Sequence, residues 1–193
     1  SEVVKVSSCW GCHYDSHVGD HINNKQGSNL TVNSDDTWVY LSTDGAVARD
    51  SGYTATGCVA RDQDGNWIVG FNRFLGVCSP FEAEVWGILD EIFILFNKGY
   101  RRIIIMTDNL EVAQILTDMD LEDSGITVLR RTHCILQSER GWMIKHIPRN
   151  QNLVADRLAK LSFSWKSSLQ VIDEAPKDIL DLLQVDKMNG CFM

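Results

Sequence analysis

Apolar and polar positions follow no single period along this chain. Residues 1 to about 35 are polar, rich in Ser, Asn, His and Asp, and show no repeat; such a stretch reads as a flexible leader. From Trp38 the pattern sharpens. "WVYLSTDGAVA" predicts a first strand, "GYTATGCVARD" a second and "WIVGFNRFL" a third. Asp64-Gly65 between the last two is a strong hairpin signal, so the three form an antiparallel meander.

The period then changes. In "SPFEAEVWGILDEIFILFNKGY" Ala83, Ile88, Ile92, Leu95 and Phe96 recur at helical spacing. Ser79 caps this helix, Pro80 suits its first turn, Glu82 completes a capping box and Gly99 ends it. On this reading Asp90 and Glu91 lie on the solvated face. "RRIIIMTD" is short and β-branched, a buried strand parallel to the first because a helical crossover precedes it. "NLEVAQILTD" and "ITVLRRTHCILQS" predict two helices, "GWMIKHIP" the last strand and "NQNLVADRLAKLSF" an amphipathic helix. Beyond about Ser164 "APKDILDLLQVD" adds a short helix at the domain edge. The order β-β-β-α-β-α-α-β-α predicts an α/β fold with a mixed sheet over residues 36–163, followed by a tail, 164–193.

At 193 residues, 44% hydrophobic and 23% charged, the chain suits one globular domain with tails. No apolar run approaches the roughly 18 residues of a membrane span. The first residues lack the basic-then-apolar order of a secretory signal. Six scattered cysteines then read as reduced thiols, giving the expectation of a nuclear or cytoplasmic, not secreted, protein.

Against this background, several acids stand in costly places. Asp44 and Gly45 interrupt an apolar strand, although both residue types are depleted from strands. Asp108 ends the fourth strand, which a right-handed crossover returns beside the first. Glu84 lies one turn before Ile88, near the sheet-facing side of its helix. Asp156 is flanked by Leu153 and Ala159, again near a packed face. Singly, each has a commoner explanation: a turn at Asp44, a helix cap at Asp108, a solvated Glu84, a surface ion pair at Asp156. Glu82 competes with Glu84, but its capping role favours Glu84 for the site. Together, four carboxylates from two strands and two helices make an all-oxygen set suited to Mg²⁺ or Mn²⁺ rather than zinc.

"STDGA", "FEAEVWGIL", "MTDN" and "HIPRNQNLVADRLAK" resemble the ribonuclease H family, most closely its reverse-transcriptase-like branch of plant retroelement origin. The resemblance covers about residues 38 to 163 and implies a five-stranded mixed sheet in the order above. It also implies that Asp44, Glu84, Asp108 and Asp156 are metal-binding catalytic acids. The implied activity is two-metal hydrolysis of the RNA strand of an RNA·DNA hybrid. Members often carry a histidine before the last acid; His146 has a comparable spacing, but "WMIKHIP" places it on a strand. His133, in a helix, reads as structural.

Charge qualifies this picture. The chain carries −8 overall, and residues 44 to 161 hold 13 Lys and Arg against 16 Asp and Glu. The four candidate ligands account for that deficit, so the domain is compatible with nucleic acid without being basic. Between Asp108 and Asp156, the run Asp118, Asp120, Glu122 and Asp123 opposes phosphate binding, with Arg130 and Arg131 following. In the leader, Cys9-x₂-Cys12 and His17-x₃-His21 have zinc-finger outer spacings. Only four residues separate the pairs, against about 12 in the C₂H₂ module, so zinc is not expected. The alternative to a nuclease is a retroelement-derived module of little or no turnover that binds nucleic acid or protein.

Overall fold

The computed structural model describes residues 37–118, 126–138, 141–166 and 168–189. Contacts divide the chain after Val32, and the described residues all belong to the second unit, Asn33–Met193. The leader, its Cys and His residues and Asp120, Glu122 and Asp123 lie outside the described residues.

The strands are β1 (Trp38–Val47), β2 (Thr54–Arg61), β3 (Trp67–Gly76), β4 (Arg102–Thr107), β5 (Trp142–His146) and β6 (Gln170–Ile172). The helices are α1 (Pro80–Asn97), α2 (Leu110–Thr117), α3 (Thr127–Ser138), α4 (Leu153–Trp165) and α5 (Leu180–Met188). They build one mixed sheet in the order β5-β4-β1-β2-β3-β6. The expected meander forms, β1 lies antiparallel to β2, and the α1 crossover brings β4 parallel to β1 with Thr43 opposite Thr107. The expectation of five strands is corrected to six. The tail returns to the far edge, where Val171 pairs with Phe71 of β3. Three partly buried residues without alternation carry no strand signal of their own; an open β3 edge supplies the partner that forms it.

Alternation along β1 divides the core. Thr43 and Gly45 face α1, whose Gly87 and Ala83 approach them closely. The opposite face carries two apolar clusters. Tyr40, Ile104, Met106 and Ile147 form one; Val59, Val154, Leu158 and Ile179 form the other, with Leu182 and Leu183 of α5 against it. A Cβ at Gly57 would overlap the Ala159 backbone and come within 2.6 Å of the Ala155 carbonyl, so α4 rests directly on β2.

α1 starts as its sequence predicts. Ser79 Oγ accepts from Glu82 N at 3.1 Å, and Glu82 Oε2 accepts from Ser79 N at 3.0 Å. One expectation fails on this helix: Asp90 and Glu91 are buried, not solvated. Asp90 pairs with Arg73 of β3 at 2.8 Å, whereas both Glu91 carboxylate oxygens lack a hydrogen-bond partner. Burial pushes the Glu91 carboxyl well above its ordinary range. Among the described residues no helix is long and apolar enough to cross a membrane.

Candidate active site

β1 runs unbroken through Asp44, where Gly45 makes room for α1. A side chain at Gly45 would sit 3.1 Å from both Glu84 N and the Pro80 carbonyl. This close passage sets the start of α1 against β1 and brings Glu84 to the strand. The Gly45 amide and the Thr107 hydroxyl both donate to the Glu84 carboxylate, the latter at 3.4 Å. Asp108 follows Thr107 at the end of β4. Carboxylate oxygens of Asp44, Glu84 and Asp108 all lie within 4.8 Å of one another. Glu82 stays in its exposed capping box, so Glu84 is the α1 acid that reaches the cluster.

The electrostatics are those of crowded acids. Burial first, then the charges of Asp108 and Asp156, raise Asp44 from 3.8 to about 8, while Arg149 pulls it down. Burial and Asp44 push Glu84 well above its usual value, against the Gly45 amide and the Thr107 hydroxyl. Asp44 Oδ2 is buried with no hydrogen-bond partner. An orphaned carboxylate oxygen beside two further acids is the environment a hard cation would satisfy, and the all-oxygen donors fit Mg²⁺ or Mn²⁺.

The fourth acid stands apart. Asp156, in the first turn of α4, is near enough to raise Asp44 but is not within the 4.8 Å group. Its Oδ2 takes Lys160 Nζ at 2.6 Å, one helical turn on. His146 ends β5, opposite Thr107, as the strand pattern implies. It is exposed, and its Nε2 lies 3.3 Å from the Asp108 carbonyl oxygen. His133 is buried in α3 and is not part of the acidic group.

Two residues of the "PRNQN" turn, given no role from sequence, hold Asp108. Asn152 Nδ2 donates to Asp108 Oδ1 at 3.2 Å and to the Thr43 carbonyl at 2.7 Å. Arg149 Nε lies 3.3 Å from Asp108 Oδ2, with most of its side chain in solvent. The contacts of these two residues join three separate segments of the chain, which no local pattern reveals.

Residues 42–162 match the family described as reverse transcriptase-like. Over 156 residues the chain is 30% identical to an Arabidopsis thaliana protein named "Putative ribonuclease H protein", covering 79% of this chain and 25% of that protein. The chain thus spans about a quarter of that relative's length. Among solved structures it resembles ribonuclease H1 of the halophilic archaeon Halobacterium salinarum, with a TM-score of 0.57 at 26% identity, over 66% of this chain and 98% of that one. LC11-RNase H1, solved with an RNA/DNA hybrid, has a TM-score of 0.53 at 17% identity, over 64% and 94% of the two chains, a likeness of fold. This chain belongs to the reverse transcriptase-like family and has a ribonuclease H-like fold.

Proposed function

We propose that this chain is a divalent-metal-dependent endonuclease that hydrolyses the RNA strand of RNA·DNA hybrids. The observation that carries this reading is the convergence of Asp44, Glu84 and Asp108 within 4.8 Å, with a buried Asp44 oxygen left unpartnered. Family membership, the name of the Arabidopsis relative and the likeness to an archaeal ribonuclease H1 support the substrate class.

Asp44, Glu84 and Asp108 would hold Mg²⁺ or Mn²⁺, with Asp156 as the rim ligand. Such ions supply charge neutralisation at a scissile phosphate and activation of a water. The chain's own residues do the rest. Asn152 and Arg149 hold one Asp108 oxygen each, so its orientation is set before anything binds. The Gly45 amide and the Thr107 hydroxyl fix Glu84 in the same way. Asp44, raised to about 8 by burial and the neighbouring acids, would give up a proton in holding a cation near neutral pH. His146, exposed beside the Asp108 carbonyl, is placed to carry a proton between the site and solvent. The negative balance of the domain resides in the four acids, so cation binding removes the main repulsion of a phosphate backbone.

The test is cleavage of a strand-labelled RNA·DNA hybrid in Mg²⁺ and in Mn²⁺, beside Asp44→Asn and Asp108→Asn. Metal-dependent cutting of the RNA strand alone, lost in both variants, is expected. No cutting by the folded parent chain would leave the acids as inherited architecture and favour a binding module.

A further inference from the structure

Helix α4 carries Asp156, yet its own N-cap does not cap it. The Asn152 side chain makes no bond to the first amides of the helix, being turned instead onto Thr43 and Asp108. A helix start left without partners is costly. The acceptor comes from 32 residues further along the chain. Asp186 of α5, fully buried, takes the Val154 amide on Oδ2 at 3.3 Å and also accepts from the Leu153 amide.

The same carboxylate pairs with Arg61 Nη1 at 3.4 Å, both side chains being fully buried. Arg61 Nη2 donates to Ser42 Oγ at 2.7 Å, on β1 two residues before Asp44. At the end of α5, Asn189 grips the turn from the other side. Its carbonyl accepts from Gln151 Nε2 and its Nδ2 donates to the Asn150 carbonyl, both at 3.1 Å. Both grips fall on the stretch 150–154, which contains Asn152, the residue that holds Asp108. The matched family region ends at residue 162, so this support comes from a segment outside it.

We propose that α5 is a clamp on the acidic site, with Asp186 and Asn189 as positioning residues. They hold the start of α4 and the turn before it, freeing Asn152 to orient Asp108. The link from clamp to metal rests on the reading of the acids as a cation site; the link from clamp to Asn152 does not.

Two readouts on the full chain separate these links. The first is hydrogen exchange of the Asn152 side-chain amide, followed by NMR without metal. The second is Mn²⁺ affinity by calorimetry. Asp186→Ala is expected to speed that exchange about fivefold or more, as loss of a cap would. It should also weaken Mn²⁺ binding by about tenfold, the lower end for supporting partners of ligands. Asp186→Asn, which keeps an acceptor for the two amides, should retain most of the protection. Asn189→Ala should move both readouts in the same direction by less. Leu136→Ala, in α3, which packs on α1 rather than on α5, lowers stability and should move neither readout under folding conditions.

If Asp186→Ala does not fold, Asn189→Ala and Gln151→Ala decide. Unchanged Asn152 exchange in the folded clamp variants, or an equal change in Leu136→Ala, overturns the proposal. A parent chain that binds no Mn²⁺ refutes the metal reading instead, while the exchange readout still decides the clamp.

Discussion

The side-chain amide of Asn152 donates to the Asp108 carboxylate at 3.2 Å while holding the Thr43 carbonyl of the neighbouring strand at 2.7 Å. One group thereby ties a site acid to the strand that carries another. Asn152→Ala should cost about 1–3 kcal/mol by stranding the buried Thr43 carbonyl. Its effect on turnover should be larger, about 10- to 100-fold, because Asp108 loses its orientation. Steady-state kinetics beside thermal melts of the same preparation check the two effects.

Position orders the acids. Asp44, Glu84 and Asp108 form the close group, whereas Asp156 sits outside it on Lys160. Asp44→Asn and Asp108→Asn should abolish measurable cleavage, and Asp156→Asn should leave a residue of activity at high Mn²⁺. Titrating cleavage rate against Mn²⁺ for each variant measures the order.

The buried acids make stability depend on pH. Asp44 is held at about 8, and burial also raises Glu84, Asp90 and Glu91. A carboxyl raised on folding contributes stability that is complete below its unfolded value and is lost as pH rises through its folded value. For Asp44 that window runs from 3.8 to about 8. Metal-free protein should therefore melt higher at about pH 5 than at about pH 8.5. Asp44→Asn should flatten the slope, and saturating Mg²⁺ should raise the Tm at the alkaline end. Calorimetric melts with chelator and with Mg²⁺ provide the comparison.

Arg61 and Asp186 form a fully buried pair. Arg61→Met alone strands a buried carboxylate and should cost about 3–5 kcal/mol. Arg61→Met with Asp186→Leu should recover most of that, short of the roughly 0.5–2 kcal/mol attached to capping α4. A double-mutant cycle by urea unfolding resolves the two contributions.

Gly45 gives a contrasting substitution. An added methyl meets Ala83 and the start of α1 at 3.1 Å, so α1 must give by a few tenths of an ångström beside Glu84. Gly45→Ala should lower activity strongly for a modest loss of stability, whereas Gly57→Ala should destabilise by about 1–3 kcal/mol or more through its overlap with α4. Melts and kinetics of the two variants together distinguish site displacement from core damage.

What was legible in the sequence follows from how local each signal is. The capping box at Ser79 and Glu82, the turn at Asp64-Gly65 and the β-branched run into Thr107 depend on neighbours in the chain, and the structure forms all three. The approach of Asp44, Glu84 and Asp108 was legible because the crossover fixes β4 beside β1. Strand β6 was not, because its three residues become a strand only by meeting the β3 edge. Asp90 and Glu91 read as solvated from the sequence, although Glu91 falls at helical spacing from Ile88 and Leu95, on the packed side; Asp90 is held there by Arg73. Asp186 ends the segment read as a short helix at the domain edge, and no local pattern announced its pairing with Arg61, 125 residues earlier.

Whether the buried acids form a divalent-cation site is decided by calorimetric titration of Mn²⁺ at about pH 7.5 in buffers of different ionisation heat. Binding that releases about one proton, and that Asp44→Asn abolishes, is the expected result, because Asp44 is held at about 8 until a cation displaces its proton. Binding heats no different from those of Asp44→Asn would contradict it.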